Sequence, residues 1–173
     1  MSIILGIDPG SRRTGFGVID TSASKPRYVT SGCINVAKLA DIPARLDAIF
    51  SHIQDICVQV QPTECAIEQV FLGRNVDSAL KLGHARGAAM VAVLQAGVPV
   101  HEYAARQVKQ AIVGKGSATK EQVQHMVRIL LSLPGTPQED AADALAIALC
   151  HANFSASMGR IAGAVGSRRG RTV

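Results

Sequence analysis

Residues 3 to 17 read Ile3-Ile4-Leu5-Gly6-Ile7-Asp8-Pro9-Gly10-Ser11-Arg12-Arg13-Thr14-Gly15-Phe16-Gly17. An apolar run of strand length ends on one carboxylate, and Pro9-Gly10 stop it at once. A run this apolar fits a strand covered on both faces, in the middle of a sheet. An ionised Asp8 at its end needs a positive partner, and a bound cation is the simplest one. The glycines at 10, 15 and 17 let the chain turn and let a phosphate or metal come close to the backbone. The competing reading is an Asp that merely caps a tight turn. Whether the chain brings further acids to Asp8 decides between them.

Working outward, residues 14 to 21 and 27 to 36 read as two more strands, separated by a turn from Ser22 to Pro26. Three consecutive strands suggest an antiparallel meander. Leu46, Ile49, Phe50, Ile53, Ile56, Cys57 and Val60 recur at helical spacing, giving a helix over roughly 42–60 that Gln61-Pro62 ends. Glu64 to Phe71 is a fourth short strand with Glu68 towards its end. Asn75 caps a helix that runs to about residue 95. Its small residues Gly83, Ala85, Gly87, Ala88 and Ala89 suit close packing in the core, with a subunit contact as the other use. Val98 to Tyr103 is a fifth strand, and a short helix covers about 104–113. Thr119-Lys120-Glu121-Gln122 is a capping box that opens a further helix, broken at Leu133-Pro134-Gly135. Thr136-Pro137-Gln138-Glu139 is a second such box, opening a last helix over 137 to about 153.

The chain has 173 residues, 47% of them hydrophobic, so one domain with a full core is expected. Residues 1–154 form that domain. After Phe154 the composition turns to Ser, Gly, Ala and Arg, and 155–173 read as a basic, disordered tail. No apolar run has membrane-spanning length, and the N-terminus has neither the basic region nor the cleavage site of a signal peptide. The four cysteines, at 33, 57, 65 and 150, form no CxxC pair. They read as free thiols in a reduced, cytoplasmic protein rather than as zinc ligands. The net charge is +5. Arg160, Arg168, Arg169 and Arg171 supply most of it, and residues 74–128 carry eight Lys or Arg against three acids. A mid-chain basic patch and a basic tail suit a polyanionic partner such as nucleic acid.

Asp140 and Asp143 lie at i and i+3 near the start of the last helix and share a face. If the first and fourth strands are neighbours and the last helix packs beside them, Asp8, Glu68, Asp140 and Asp143 converge. Four mutually repelling carboxylates are costly unless cations sit between them. Oxygen ligands without clustered Cys or His favour Mg²⁺ or Mn²⁺ over Zn²⁺. Two such ions about 4 Å apart clamp the attacking and leaving oxygens of a phosphodiester displacement.

Gly6-Ile7-Asp8-Pro9-Gly10-Ser11, Ala66-Ile67-Glu68-Gln69-Val70-Phe71, Asp77-Ser78-Ala79-Leu80-Lys81-Leu82-Gly83, Glu102-Tyr103-Ala104-Ala105-Arg106-Gln107-Val108-Lys109 and Asp140-Ala141-Ala142-Asp143-Ala144-Leu145 resemble the RuvC family of crossover junction endodeoxyribonucleases. The matches run in family order over residues 1 to about 150. The resemblance implies a ribonuclease H-like α/β fold, with a five-stranded mixed sheet flanked by helices. It implies a homodimer that nicks two symmetric strands of a Holliday junction in recombination and repair. It also implies two Mg²⁺ per site, with Mn²⁺ as a substitute, and cooperation with a RuvA-RuvB-type branch-migration complex. By the same resemblance Asp8, Glu68, Asp140 and Asp143 match the catalytic, metal-holding acids. Phe71 matches an aromatic that stacks at the junction point, and Lys109 and Lys120 match basic residues near the scissile phosphate. Arg74, Lys81, Arg106 and Lys115, from the basic patch, complete the candidate DNA contacts.

Two other readings differ in class. A sugar-kinase or actin-like ATPase also places an Asp and glycines after its first strand, but it needs two such domains. A junction-binding protein without catalysis gains nothing from four carboxylates.

Overall fold

The meander expected near the N-terminus is formed by β1 (Ile3–Asp8), β2 (Arg13–Asp20) and β3 (Arg27–Asn35), all antiparallel. This computed structural model describes residues 2–70 and 75–167, with side chains as far as Met158. β4 (Glu64–Glu68) pairs in parallel with β1, and β5 (Val100–Tyr103) in parallel with β4. The sheet order is β3-β2-β1-β4-β5, so the most apolar strand is the central one. The five-stranded mixed sheet and its helical cover are as expected from the sequence.

Alternation along each strand divides the core in two. Leu5, Ile7, Cys65 and Ile67 pack under α1 (Ile42–Val60) and α2 (Val76–Gln95). Ile4, Ile19 and Ala66 pack under α3 (Ala105–Val113), α4 (Lys120–Leu130) and α5 (Glu139–Ser167). The caps at Asn75 and Thr119 fall where the sequence puts them, whereas the box expected at Thr136 lies ahead of the helix start at Glu139. Asp41 accepts from the Ala44 N–H, Asn75 from the Ser78 N–H, and Thr119 and Gln122 form the expected capping box. Gly97 and Gly114 end α2 and α3 in the left-handed region that favours glycine.

Three sequence expectations change. A Cβ at Gly15 would stand 2.0 Å from the Asp140 carbonyl oxygen, and one at Gly17 would stand 2.7 Å from Leu145. These two glycines let α5 lie against β2, rather than letting a phosphate or metal reach the backbone. Gly10 keeps its turn role, since a Cβ there would meet the Arg13 carbonyl at 2.0 Å. The last helix begins at Glu139, not 137, because Gln138 supplies the first carbonyl of its ladder, accepting from the Ala142 N–H. It also runs to Ser167 instead of stopping near 153. No proline follows Phe154, and Ala156, Met158, Ala162 and Ala164 are good helix formers. In α2, Ala85 and Ala89 are buried in the core, whereas Gly83 and Gly87 face open space.

Candidate active site

Asp8 ends β1 and Glu68 ends β4. The parallel pairing of Ile7 with Ile67 sets these two strand ends side by side. Both acids point to the face that α5 covers, because Ile4, Gly6 and Asp8 alternate with Leu5 and Ile7. The small residues of α5 and β1 bring the helix close: a Cβ on Gly6 would stand 2.1 Å from the Ala144 carbonyl oxygen. The second turn of α5 then delivers Asp143. Asp8, Glu68 and Asp143 share a cleft of about 290 Å³ with Lys109, Lys120, Val108, Val123 and Ile147.

Burial first, and then the charges of Glu68, Asp143 and Asp140, push the Asp8 carboxyl up to about 8. Burial and Asp143 raise Glu68 as well, while a hydrogen bond from Asp8 and the two lysines oppose the rise. Burial also raises Asp143, against the pull of Lys120. Lys120 pairs with Glu139 and lies 3.8 Å from Asp143. The hydrogen bond to Glu139 is the main reason its ammonium is held above the ordinary range. Carboxylates crowded in this way lack counter-charge in proportion to their number. A hard divalent cation fits the donor set, which in this cleft is oxygen only.

Asp140 stands beside the cleft rather than in its lining. Its carboxylate accepts from Gln138 Nε2 at 2.8 Å and from Cys33 Sγ at 3.4 Å. Its charge still reaches both Asp8 and Asp143. Glu139 pairs with Lys120, and its charge also raises the Asp143 carboxyl.

The candidate DNA contacts divide by position. Lys109 and Lys120 line the acid cleft. Arg106 and Lys115 are exposed and outside its lining, with Arg106 packed against Gly116 of the α3–α4 loop. Lys81 is on α2, 2.6 Å from Asp77. Phe71 and Arg74 lie outside the described residues. One residue escaped sequence inspection. Arg86 of α2 donates from Nε to the Glu68 carbonyl at 2.9 Å and pairs with Glu102 of β5. It holds the end of β4 from behind. A lone Arg mid-helix, 18 residues from its partner, gives no signal in the sequence.

The family profile described as "Crossover junction endodeoxyribonuclease RuvC" matches residues 4–151. A protein of that name from Saccharophagus degradans is 55% identical over 173 residues, covering all of both chains. One from Tolumonas auensis is 58% identical over 174 residues, covering 99% of each. Among solved structures, Thermus thermophilus RuvC in complex with a Holliday junction substrate superposes with a TM-score of 0.85 at 38% identity, over 92% of this chain and 97% of that one. The yeast mitochondrial Holliday junction resolvase Ydc2 shares the fold, with a TM-score of 0.66 at 10% identity, over 92% of this chain and 82% of that one. With an acid at each of two adjacent strand ends, a third on the crossing helix, and this extent of identity along its full length, the chain belongs to the RuvC family of crossover junction endodeoxyribonucleases.

Proposed function

We propose that this chain is a Holliday junction resolvase, an endonuclease that nicks two symmetric strands of a four-way junction during recombination and repair. The observation that carries the mechanism is the convergence of Asp8, Glu68 and Asp143 in one cleft with Lys109 and Lys120. An ATPase reading would need a second domain of the same kind, and a purely architectural reading leaves the acids without a purpose.

Asp8, Glu68 and Asp143, with Asp140 at the rim, would hold two divalent cations, Mg²⁺ or Mn²⁺. When bound, such ions neutralise a phosphodiester and clamp its attacking and leaving oxygens. The rest falls to the chain itself. Lys109 and Lys120 flank the acids and would attract the phosphate, with Arg106, Lys115, Lys81, Arg74 and Phe71 as the further DNA contacts of this reading. Val108, Val123 and Ile147 close the floor, so the charges act in a poorly screened site. Burial and its acidic neighbours raise the Asp8 carboxyl, which is hydrogen-bonded to Glu68, and a cation held there would favour its ionised form.

Resolution needs two sites related by the junction's approximate two-fold symmetry, which a C₂ homodimer supplies. The support is α2, where Val76, Leu80, Val91 and Leu94 are exposed along the side that carries Gly83 and Gly87. Residues 1–154 are the nuclease unit, and 155–173 a basic extension that adds DNA affinity. A branch-migration complex of the RuvA-RuvB type is the matching partner, and the cytoplasm the matching location. No helix of the described residues is long and apolar enough to cross a membrane.

Incubation with a synthetic four-way junction, with and without Mg²⁺, tests the reading on a denaturing gel. The expected result is paired nicks that a ligase can reseal, only with Mg²⁺. Binding without nicking would overturn the nuclease assignment.

A further inference from the structure

Sequence inspection finds no clustered histidines, but the fold makes a cluster. His101 of β5 and His151 of α5 stack with ring centroids 4.4 Å apart and 27° between planes. Between them stands Glu64, the first residue of β4. Its Oε2 is 2.7 Å from His151 Nε2 and 3.6 Å from His101 Nε2. One ligand atom from each of the three lies within 4.8 Å of the others. We propose that Glu64, His101 and His151 form a second metal site, separate from the acid cleft, that takes Zn²⁺ with water as its fourth ligand.

Two imidazoles and one carboxylate are a borderline-soft donor set that suits Zn²⁺ and disfavours Mg²⁺. Tetrahedral zinc with ligands about 2.0–2.1 Å away needs ligand atoms about 3.3–3.4 Å apart. The His151–Glu64 pair must open slightly and His101 must swing inward. The burial pattern permits this. The His151 side chain is 3% exposed and fixed, whereas His101 is 44% exposed and adjustable, with Glu64 at 31%. The same exposure gives the ion an entry path from solvent. The support expected behind a ligating histidine is also present. The Tyr103 hydroxyl meets His151 Nδ1 at 2.7 Å, which orients Nε2 towards Glu64. Burial pushes the His151 imidazole down, favouring the neutral ring that coordinates metal.

The site is distinct from the cleft. Glu64 and Glu68 occupy opposite ends of β4, about 13 Å apart along the strand. Asp143 and His151 are eight residues apart on α5, about 12 Å along its axis. A zinc ion here would tie β4, the short edge strand β5 and α5 together, adding stability without touching the nuclease chemistry.

The test uses the full-length protein in excess Mg²⁺, so that the carboxylate cleft is occupied. Zn²⁺ uptake is measured by equilibrium dialysis, with Co²⁺ as a spectroscopic probe and the melting temperature followed in parallel. Wild type should bind about one zinc at micromolar concentration, give the visible absorption of tetrahedral Co²⁺, and melt at a higher temperature with zinc. His101→Phe and Glu64→Gln should each weaken zinc binding by roughly 100-fold or more, and Tyr103→Phe by about 10-fold. His101→Phe should keep its circular dichroism spectrum and its Mg²⁺-dependent junction nicking. Equal zinc uptake by wild type and His101→Phe, or no uptake by wild type at about 100 μM, overturns the site. The binding readouts do not depend on the nuclease assignment, so failure of one reading leaves the other standing.

Discussion

At the scale of single residues, Asp8 sets the pH behaviour of the metal-free protein. Its carboxyl titrates at about 8 in the fold against 3.8 in a free chain. Between those values the folded state holds a proton that the unfolded state has lost, so stability falls as pH rises from about 4 through 8. Asp8→Asn should remove this penalty. At pH 8 without metal it should raise stability by on the order of 1–2 kcal/mol, about 2–8 °C in melting temperature, and lower the nicking rate by roughly 1,000-fold or more. A melting series across pH and a single-turnover nicking assay check both halves. A second consequence is that Mg²⁺ binding at pH 7 should release about one proton, and fewer as pH approaches 9. Calorimetry in buffers of different ionisation enthalpy measures this. A metal-binding enthalpy independent of buffer would contradict it.

At the scale of elements, the contact between α5 and β2 sets where Asp143 stands. Gly15→Ala drives a methyl into the Asp140 carbonyl, which is backbone and cannot swing away. The expected cost is about 3 kcal/mol, a fall of roughly 6–12 °C for a chain of this length. Arg86 does comparable work for β4. Arg86→Ala should release the Glu68 carbonyl and loosen the strand end. The single-turnover rate should fall about 10-fold through misplacement of Glu68, while junction affinity and its salt dependence stay near wild type. A changed salt slope would instead make Arg86 a phosphate contact. Rate and binding measurements on the same variant separate the two.

At the scale of the whole molecule, assembly and charge govern function. Leu80, on the open side of α2, is 58% exposed. If the homodimer proposed above packs through α2, Leu80→Glu should yield a folded monomer by analytical ultracentrifugation and abolish paired nicking, because one junction then meets one site. Retention of a dimer would move the interface elsewhere. Junction binding should weaken steeply with salt, and Lys109→Ala should lower the slope by about one unit if it meets a phosphate.

The sequence by itself carried most of the architecture. The doubly covered Ile3-Ile4-Leu5 run, the meander after it, the helix periodicities and the caps at Asn75 and Thr119 are local signals, and local physics decides them. Asp8, Glu68 and Asp143 could be picked out because strand ends and helix starts are visible one segment at a time. Relations between segments were decided only by the tertiary structure. Gly15 and Gly17 look like loop-forming glycines until α5 is seen lying on them. Asp140 reads as an equal partner of Asp143, yet a turn of about 100° per residue directs it towards Cys33 and away from the cleft lining. The end of α5 is hidden in the sequence because Ser and Gly past Phe154 alternate with good helix formers and no proline stops the helix. Arg86 under Glu68, and Glu64 between His101 and His151, join residues 18 to 87 positions apart. The β4–α2–β5 crossover brings Arg86 to Glu68, and the docking of α5 on the sheet brings His151 to Glu64. No pattern within a single segment records either meeting.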